Sequence, residues 1–370
     1  MLSSQILDIV REQDQQFADS PHLKAPKYDP QTHYLEVADS QYYKSLISFR
    51  HIIKLLSDSC MGLDLNAKNI DLFMLTPSIS SPMGPGSDSE AIPIKFGRLD
   101  SYLTDSSQFG FEPILMNSVD RAYCYLPSLR GETPDKRHLN QFYHCEIEIK
   151  GGLDDVMKLA EYYVKYLTHG VLTSENLLKS LSLSPSKTLA TAERVKDIKQ
   201  FKRITLDDAC RLLEESGFGK LINNPKQGRD ISSHGELKLA ELLGYKEPFW
   251  VTHFDRDRVP FYQKPDPANK EKVLNADLIF PNILPNSFGG EILGGGQRQD
   301  TPAEMQESLA RQGLSAEPYD WYIDLRSRSN YSMTSGFGLG IERYIAWILG
   351  LDNIRDAILY PRLKDVLTKP

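Results

Sequence analysis

The chain has 370 residues, of which 40% are hydrophobic and 25% charged; that is the balance of a globular protein and excludes a disordered or fibrous chain. Its formal net charge of −7 argues against a surface built mainly to grip a phosphate backbone, although a local basic patch stays compatible with it. Cys60, Cys124, Cys145 and Cys210 form no Cys-x-x-Cys pair and no zinc-site spacing, and no apolar run approaches the ~18 residues of a membrane span.

The first stretch, MLSSQILDIVREQDQQ, lacks the basic start and long apolar run of a secretion signal, so a cytoplasmic location is expected. Residues 1–40 are polar and weakly patterned. They read as a short extension with one helix near Ile6 to Gln16, followed by a proline-containing connector. Residues 41–370 read as one larger unit. From Tyr42 the apolar positions Tyr42, Leu46, Phe49, Ile53 and Leu56 recur at steps of four and three, which is one stripe on a helix. Core packing and a subunit interface both fit such a stripe.

Residues 57–100, with SPMGPGSDSE near the centre, read as a loop. SYLTDSSQFGFE and RAYCYLPSLRGE then suggest strands. Residues 142–150 alternate clearly: Tyr143, Cys145, Ile147 and Ile149 share one face, and Phe142, His144, Glu146 and Glu148 the other. The charged face is open to two readings, a solvated surface or the floor of an active site. Val156, Leu159, Ala160, Tyr163, Val164 and Leu167 form a helical stripe. TLDDACRLLEESG is a helix with Thr205 as N-cap and Gly217 as stop. PFWVTHF, VLNADLIF and WYIDLRS look strand-like, and GFGLGIERYIAWILGL reads as a glycine-rich turn entering an apolar helix that stops at Gly350. Strands and helices mix without a βαβ rhythm, which predicts an α+β fold: an antiparallel sheet flanked by helices.

Three arginine-bearing segments carry the chemistry. In LRGETPDKRHLNQFYHCEIEI (129–149), a hairpin can hold Arg130 and Glu132 beside Phe142; Arg130 suits a phosphate oxygen and Phe142 suits stacking on a base. A surface hairpin with ion pairs is the plainer alternative. In GGEILGGGQRQD (289–300), Gly294 to Gly296 let a ligand approach the backbone, and Asp277 with Glu291 can hold Mg²⁺. In GFGLGIERYIAW (336–347), Glu342 and Arg343 open an otherwise apolar helix, so each needs a partner or a ligand. That segment is neither a Walker loop nor a dinucleotide fingerprint.

Together these segments resemble the class II aminoacyl-tRNA synthetases, and most closely the asparaginyl enzymes. The helix from Tyr42 is similar to the first class motif, RGETPDKRHLNQF to the second, and GFGLGIERYIAWILGLDNIRDAILYPR to the third. SYLTDSSQFGFE resembles the amino-acid-binding segment and GGEILGGGQRQD the segment that reads the side chain. The resemblance implies a homodimer using ATP and Mg²⁺ to activate an amino acid. Arg130 and Arg343 would be the catalytic arginines, on the α- and γ-phosphates. Glu132, Arg137, His138, Phe142 and Glu291 would complete the ATP site, and Asp277 and Glu291 would hold the metal. Glu90 and Gln108 would take the α-amino group, Ser106 and Phe111 would adjoin them, and Arg298 would read the side chain.

Several positions depart from the family. Phe111 stands where aspartyl enzymes have lysine and asparaginyl enzymes a small residue, while Glu112 fits the asparaginyl pattern. Gln141 replaces a usual glutamate and Thr334 a usual histidine. Only 40 residues precede the first motif, which implies a chain without the family's anticodon-reading β-barrel. The expected function is therefore activation of asparagine, aspartate or a close analogue as an acyl-adenylate, with transfer to ammonia, a small amine or a carrier. A truncated asparagine–tRNA ligase is the alternative. A non-catalytic paralogue fits less well, because Arg130 and Arg343 are both present.

Overall fold

The alternation over 142–150 and the helical stripes over 42–56 and 156–167 form the centre of the fold. The computed structural model describes residues 3–80, 89–223 and 227–369. Eight strands make the main sheet: β1 (Lys68–Asn69), β2 (Arg121–Leu129), β3 (Gln141–Lys150), β4 (Lys202–Thr205), β5 (Phe249–Thr252), β6 (Asn275–Phe280), β7 (Gly290–Gln297) and β8 (Thr334–Gly340). They lie in the order β1-β2-β3-β8-β7-β6-β5-β4. The six inner strands pair antiparallel, and the edge strands β1 and β4 pair parallel. Around the sheet run α1 (Ser4–Gln15), α2 (His33–Asp39), α3 (Gln41–Asp58), α4 (Gln108–Met116), α5 (Leu153–Leu172), α6 (Glu175–Leu181), α7 (Pro185–Asp197), α8 (Leu206–Glu215), α9 (Ser233–Leu243), α10 (Pro302–Arg311), α11 (Asp320–Asp324) and α12 (Ile341–Ile348). This is the expected α+β architecture. Among the described residues no helix is long and apolar enough to cross a membrane.

The two faces of β3 part as its alternation predicts. Cys145, Ile147 and Ile149 join the largest core, with α3, α5 and α12 packed over them. Tyr42, Leu46, Phe49, Ile53 and Leu56 are buried in that same core, so this stripe packs within the chain. Burying each such Leu, Ile or Phe contributes about 1.5–3 kcal/mol. On the outer side of α3, Ile47 stays exposed. The N-terminal segment is tied into the same body. Val10 and Phe17 enter the core, and the Asp14 carboxylate accepts the backbone N–H groups of Asn176 and Leu177 at 3.1 and 2.9 Å, at the start of α6.

Several local expectations change. SYLTDSSQFGFE is a strand only over Leu99–Leu103; from Gln108 it is α4, entered through the short polar run Asp105, Ser106 and Ser107. WYIDLRS is not a strand but α11 and a 3-10 turn, Leu325–Ser327. Its buried positions Tyr322, Ile323 and Arg326 follow helical spacing, while Trp321 is exposed. The 57–100 stretch holds a wide π-helical turn, Ser59–Asp64, and a hairpin formed by Pro93–Phe96 and Leu99–Leu103. Of SPMGPGSDSE, residues 81–88 lie outside the described residues. GFGLG is a strand, β8, rather than a turn. Its glycines recur at every second position, so the missing side chains all fall on one face, while Phe337 and Leu339 face the core. Thr205 does cap α8, accepting from Asp208 N–H, and Gly217 and Gly350 stop their helices at φ of +81° and +66°.

Glu342 finds its partner inside the protein. Its carboxylate meets Arg50 of α3 at 2.7 Å and accepts the Tyr143 N–H at 2.8 Å, so α3, β3 and α12 converge on one buried charge. Removing one member of a buried pair leaves the other uncompensated. Arg50→Ala is therefore expected to destabilise the fold by about 3–5 kcal/mol, read as a fall in the urea midpoint.

Candidate active site

The polar face of β3 continues across its neighbours. Register aligns Glu146, Gly338, Gly294 and Asp277 in one row over β3, β8, β7 and β6. Residues directly opposed in antiparallel strands share a face, so the row has a carboxylate at each end and bare backbone between. At ~4.8 Å per strand the row spans about 14 Å. The next row is Glu148, Gly336, Gly296 and Asn275. A Cβ at Gly336 would fall on the Glu148 carboxylate, and one at Gly296 on the Gln263 amide. The glycines thus form a trough floored by main chain.

A cavity of about 340 Å³ lies over the trough, walled by Ser106, Gln108, Arg130, Asp277, Glu291 and Arg298 among others. Through Arg130, His144, Glu291 and Gly338 it joins a smaller lobe of about 100 Å³ that also holds Glu132, Arg137, His138, Phe142 and Arg343. All the site residues expected from sequence therefore wall one two-lobed cavity except Glu90 and Phe111. Phe111 points the other way, into an apolar cluster with Leu115, Ala122 and Cys124, because α4 turns that side to β2. Its ring does not narrow the pocket. Glu90 pairs at the surface with Lys364 at 2.8 Å.

In the smaller lobe the Arg130 guanidinium lies 5.3 Å from the Phe142 ring centre, and its Nε is buried with no hydrogen-bond partner. Arg343 donates to the Glu291 carboxylate and to its backbone carbonyl, both at 3.1 Å. Arg137 stacks on Phe288 at 4.5 Å; burial and the nearby Arg343 lower its pKa. His138 is held by Asp135 at 2.9 Å. Three guanidinium groups thus gather beside Glu132 and Glu291, with Glu342 already taken by Arg50, and the unpartnered Arg130 Nε fits a phosphate oxygen.

In the larger lobe Asp277 and Glu291 face each other across Gly294, whose Cβ position is 3.1 and 3.2 Å from their oxygens. Burial, then the Glu291 charge, push the Asp277 pKa well above the usual carboxylate range. Burial also pushes Glu291 up, but Arg343, supported by Arg130 and Arg137, outweighs this and holds it low. Among the described residues no cluster of three His, Cys, Asp or Glu side chains forms a metal site. Two adjacent carboxylates in mutual repulsion nevertheless suit Mg²⁺, which keeps waters and takes its other ligands from phosphate oxygens.

Arg298, buried under Tyr262, donates from Nε and Nη2 to Glu148 at 3.0 and 2.9 Å, and from Nη2 to Gln108 Oε1. Burial raises the Glu148 pKa, with Arg298 opposing. The Arg298–Gln108 bond changes what Gln108 can do. One lone pair of its oxygen is taken, which leaves a single acceptor position beside the NH₂, a weaker hold for an α-ammonium than a carboxylate. A carboxylate does stand nearby: Glu146 receives Ser106 Oγ–H and Ser107 N–H, each at 2.8 Å. Burial raises its pKa, but these bonds and His144 hold it low, so it stays charged.

Sequence reasoning left Asp230, Glu236, Arg258, Tyr262, Gln263 and Asn275 unassigned. Arg258 pairs with Asp230 at 2.6 Å on the cavity wall. Glu236 accepts the Glu291 N–H at 2.9 Å. None of these lies in a recognisable motif. Only the polar side of β3, Glu146 and Glu148 included, carried a signal, and the period-two pattern showed it.

Comparison with known proteins adds the family. The family model described as tRNA synthetases class II (D, K and N) matches residues 31–364. The chain belongs to this family. It is 34% identical over 264 residues to the asparagine–tRNA ligase of Thermococcus kodakarensis, covering 71% of this chain and 57% of that protein. It is 35% identical over 266 residues to a probable cytoplasmic asparagine–tRNA ligase of Encephalitozoon cuniculi, covering 71% and 56%. The chain thus spans less than two-thirds of the length of these class II relatives. The asparaginyl-tRNA synthetase of Pyrococcus horikoshii, solved with asparaginyl-adenylate, superposes with a TM-score of 0.80 at 26% identity, over 94% of this chain and 76% of that one.

Burial, then the Glu291 charge, push Glu236 up to about 8, from an ordinary 4.5. A carboxyl raised in the folded state stabilises the fold fully below pH 4.5 and loses that contribution as pH rises through 8. Without divalent cations, Glu236→Gln is expected to match the parent at pH 4. At pH 9 it is expected to exceed the parent by about 3 kcal/mol in denaturant titrations.

Proposed function

We propose that this chain activates asparagine or aspartate as an aminoacyl-adenylate and then transfers the acyl group to tRNA. The observation that carries the first step is the junction of the two lobes at Arg130 and Glu291, which brings a cationic lobe against an amino-acid-sized one. A substrate carboxylate oxygen attacks the α-phosphorus of ATP, and pyrophosphate leaves from the opposite side. No protein nucleophile is required; the task is to bring two anions together and neutralise them.

Phe142 offers its ring to adenine, with Glu132 at the rim of that lobe. Arg130 carries the α-phosphate, where its unpartnered Nε gains an acceptor. Arg343, Arg137 and His138 receive the outer phosphates. Asp277 and Glu291 would hold Mg²⁺, which when bound neutralises phosphate charge. Glu146 and Ser106 hold the α-ammonium, and Arg298 with Glu148 closes the side-chain end. Phe111 has no part in this reading.

Transfer to tRNA is favoured over the ammonia, amine or carrier expected from sequence. The matched relatives bear the names of asparagine–tRNA ligases. A second support is a groove between α7 and α9 lined by Lys187, Arg194, Lys238 and Lys246 against one acid, Glu241. It shares His234, Leu237 and Asn282 with a cavity lined by Lys136 and Arg137 and by Asp135 and Asp352, and Arg137 also walls the smaller lobe. On a chain of net charge −7, this basic groove suits a phosphodiester backbone. A homodimer in the cytoplasm completes the reading, with the exposed side of α3 available for the contact.

Arg130→Ala and Arg343→Ala are each expected to lower amino-acid-dependent ATP–pyrophosphate exchange by about 10²–10³ or more. Unchanged exchange in both would refute these roles. Joint reversal of Lys187, Arg194 and Lys246 to glutamate is expected to weaken tRNA binding at least ~10-fold near 0.1 M salt, while leaving exchange intact. Equal affinity in a filter-binding titration would count against the groove.

A further inference from the structure

The larger lobe has a chemical preference that follows from what its wall leaves unsatisfied, and it rests on the adenylation reading above. Consider first the charges. Arg130, Arg258 and Arg298 line the lobe against Glu146, Asp230, Asp277 and Glu291, and Glu148 sits behind Arg298. Arg298 is neutralised by Glu148 and Arg258 by Asp230. His144 leans on Glu146 at 3.3 Å. A carboxylate on the substrate's side chain would enter a wall whose cations at that end are already matched. A neutral side chain meets no such cost.

Two buried amide atoms on this wall have no hydrogen-bond partner: Gln108 Nε2 and Gln263 Oε1. The orientation of the first is constrained. An arginine only donates, so Gln108 must turn its oxygen to Arg298, which leaves its NH₂ beside Glu148 with a proton to spare. Gln263 follows Tyr262 on the opposite segment, tied by a backbone bridge to Arg298 and by its N–H to Pro260 O at 3.0 Å. Its side chain occupies the space that a Cβ at position 296 would take, which gives Gly296 a specific purpose. One buried donor and one buried acceptor without partners are the complement of a carboxamide, which offers one acceptor and one donor. A carboxylate offers acceptors only, and would require Gln263 to turn its amide over from the orientation seen, in which Oε1 is buried.

We propose that Gln263 is a specificity-determining residue of the amino-acid lobe. Its Oε1 accepts a hydrogen bond from the NH₂ of a side-chain carboxamide while Gln108 donates to the carbonyl, so the lobe selects an asparagine-type acid over an aspartate-type acid. The expectation is tested by ATP–pyrophosphate exchange with asparagine and with aspartate on the full chain. The parent is expected to favour asparagine. Gln263→Met keeps the length and removes the acceptor; the KM for asparagine should rise about 10–100-fold with kcat little changed, and the constants for aspartate should hold. Gln263→Glu restores an acceptor and should recover most of the asparagine KM while weakening aspartate further. Calorimetric titration of asparagine without ATP should show the same order of affinities, and thermal melts check that each variant is folded. A parent that favours aspartate, or an unaltered asparagine-to-aspartate ratio in both variants, overturns the assignment of Gln263 and leaves adenylation standing. Silence with every amino acid overturns both.

Discussion

Bare main chain in the middle of a sheet is the constraint on which this structure depends. Gly294, Gly296, Gly336 and Gly338 leave two adjacent inner strands without side chains on one face, where a sheet would ordinarily place packing residues. The cost is borne by the other face, where Phe337 stacks on Tyr163 and Leu339 is buried among α5 and α12. The trough is therefore rigid despite its glycines, because the ladder on either side fixes each one. Glu146 and Asp277 stand at the trough's two ends, and Glu291 rises from one of the glycine strands themselves.

Charge around the trough is partly cancelled and partly left over. Arg298 is matched by Glu148 and Arg258 by Asp230, whereas Arg130, Arg137 and Arg343 gather near Phe142. Asp277 and Glu291 illustrate the balance: two similar groups a few ångströms apart are driven in opposite directions, because Arg343 hydrogen-bonds Glu291 while its charge on Asp277 is outweighed by burial and by Glu291, Asp230 and Glu236. Such an arrangement holds unfavourable energy in the empty protein. A ligand with phosphate at one end and an ammonium near the other relieves it from both sides, and pre-positioned charge of this kind does not have to reorganise during reaction.

Much of this was legible in the sequence where a period could be counted. The alternation over 142–150 predicts both the buried face and the polar one, and the stripe on α3 predicts its buried side. The walls of the smaller lobe were legible because Arg130, Phe142, Glu291 and Arg343 sit in recognisable segments. Glycine misled where it was dense: GFGLG reads as a turn by composition, yet its two-residue repeat is a strand pattern. Phe111 was misplaced because a motif position says nothing of which way a helix faces. Gln263, Arg258 and Asp230 were invisible, since ordinary polar residues acquire meaning only when the fold sets them on a common wall. Which atom of Gln108 is free likewise depends on Arg298, 190 residues away.

The first turn of α12 has a mechanical side. Glu342 and Arg343 are neighbours in sequence but are gripped by different partners, one by Arg50 on α3 and the other by Glu291 within the cavity. Their peptide works as a lever with a short arm at each end. A displacement of α3, such as a second subunit pressing on its outer side would produce, would be felt through Arg50 and Glu342 at the helix turn that carries Arg343. Assembly and nucleotide grip would then share one rigid link, and a chain alone in solution would hold its nucleotide differently from a paired one.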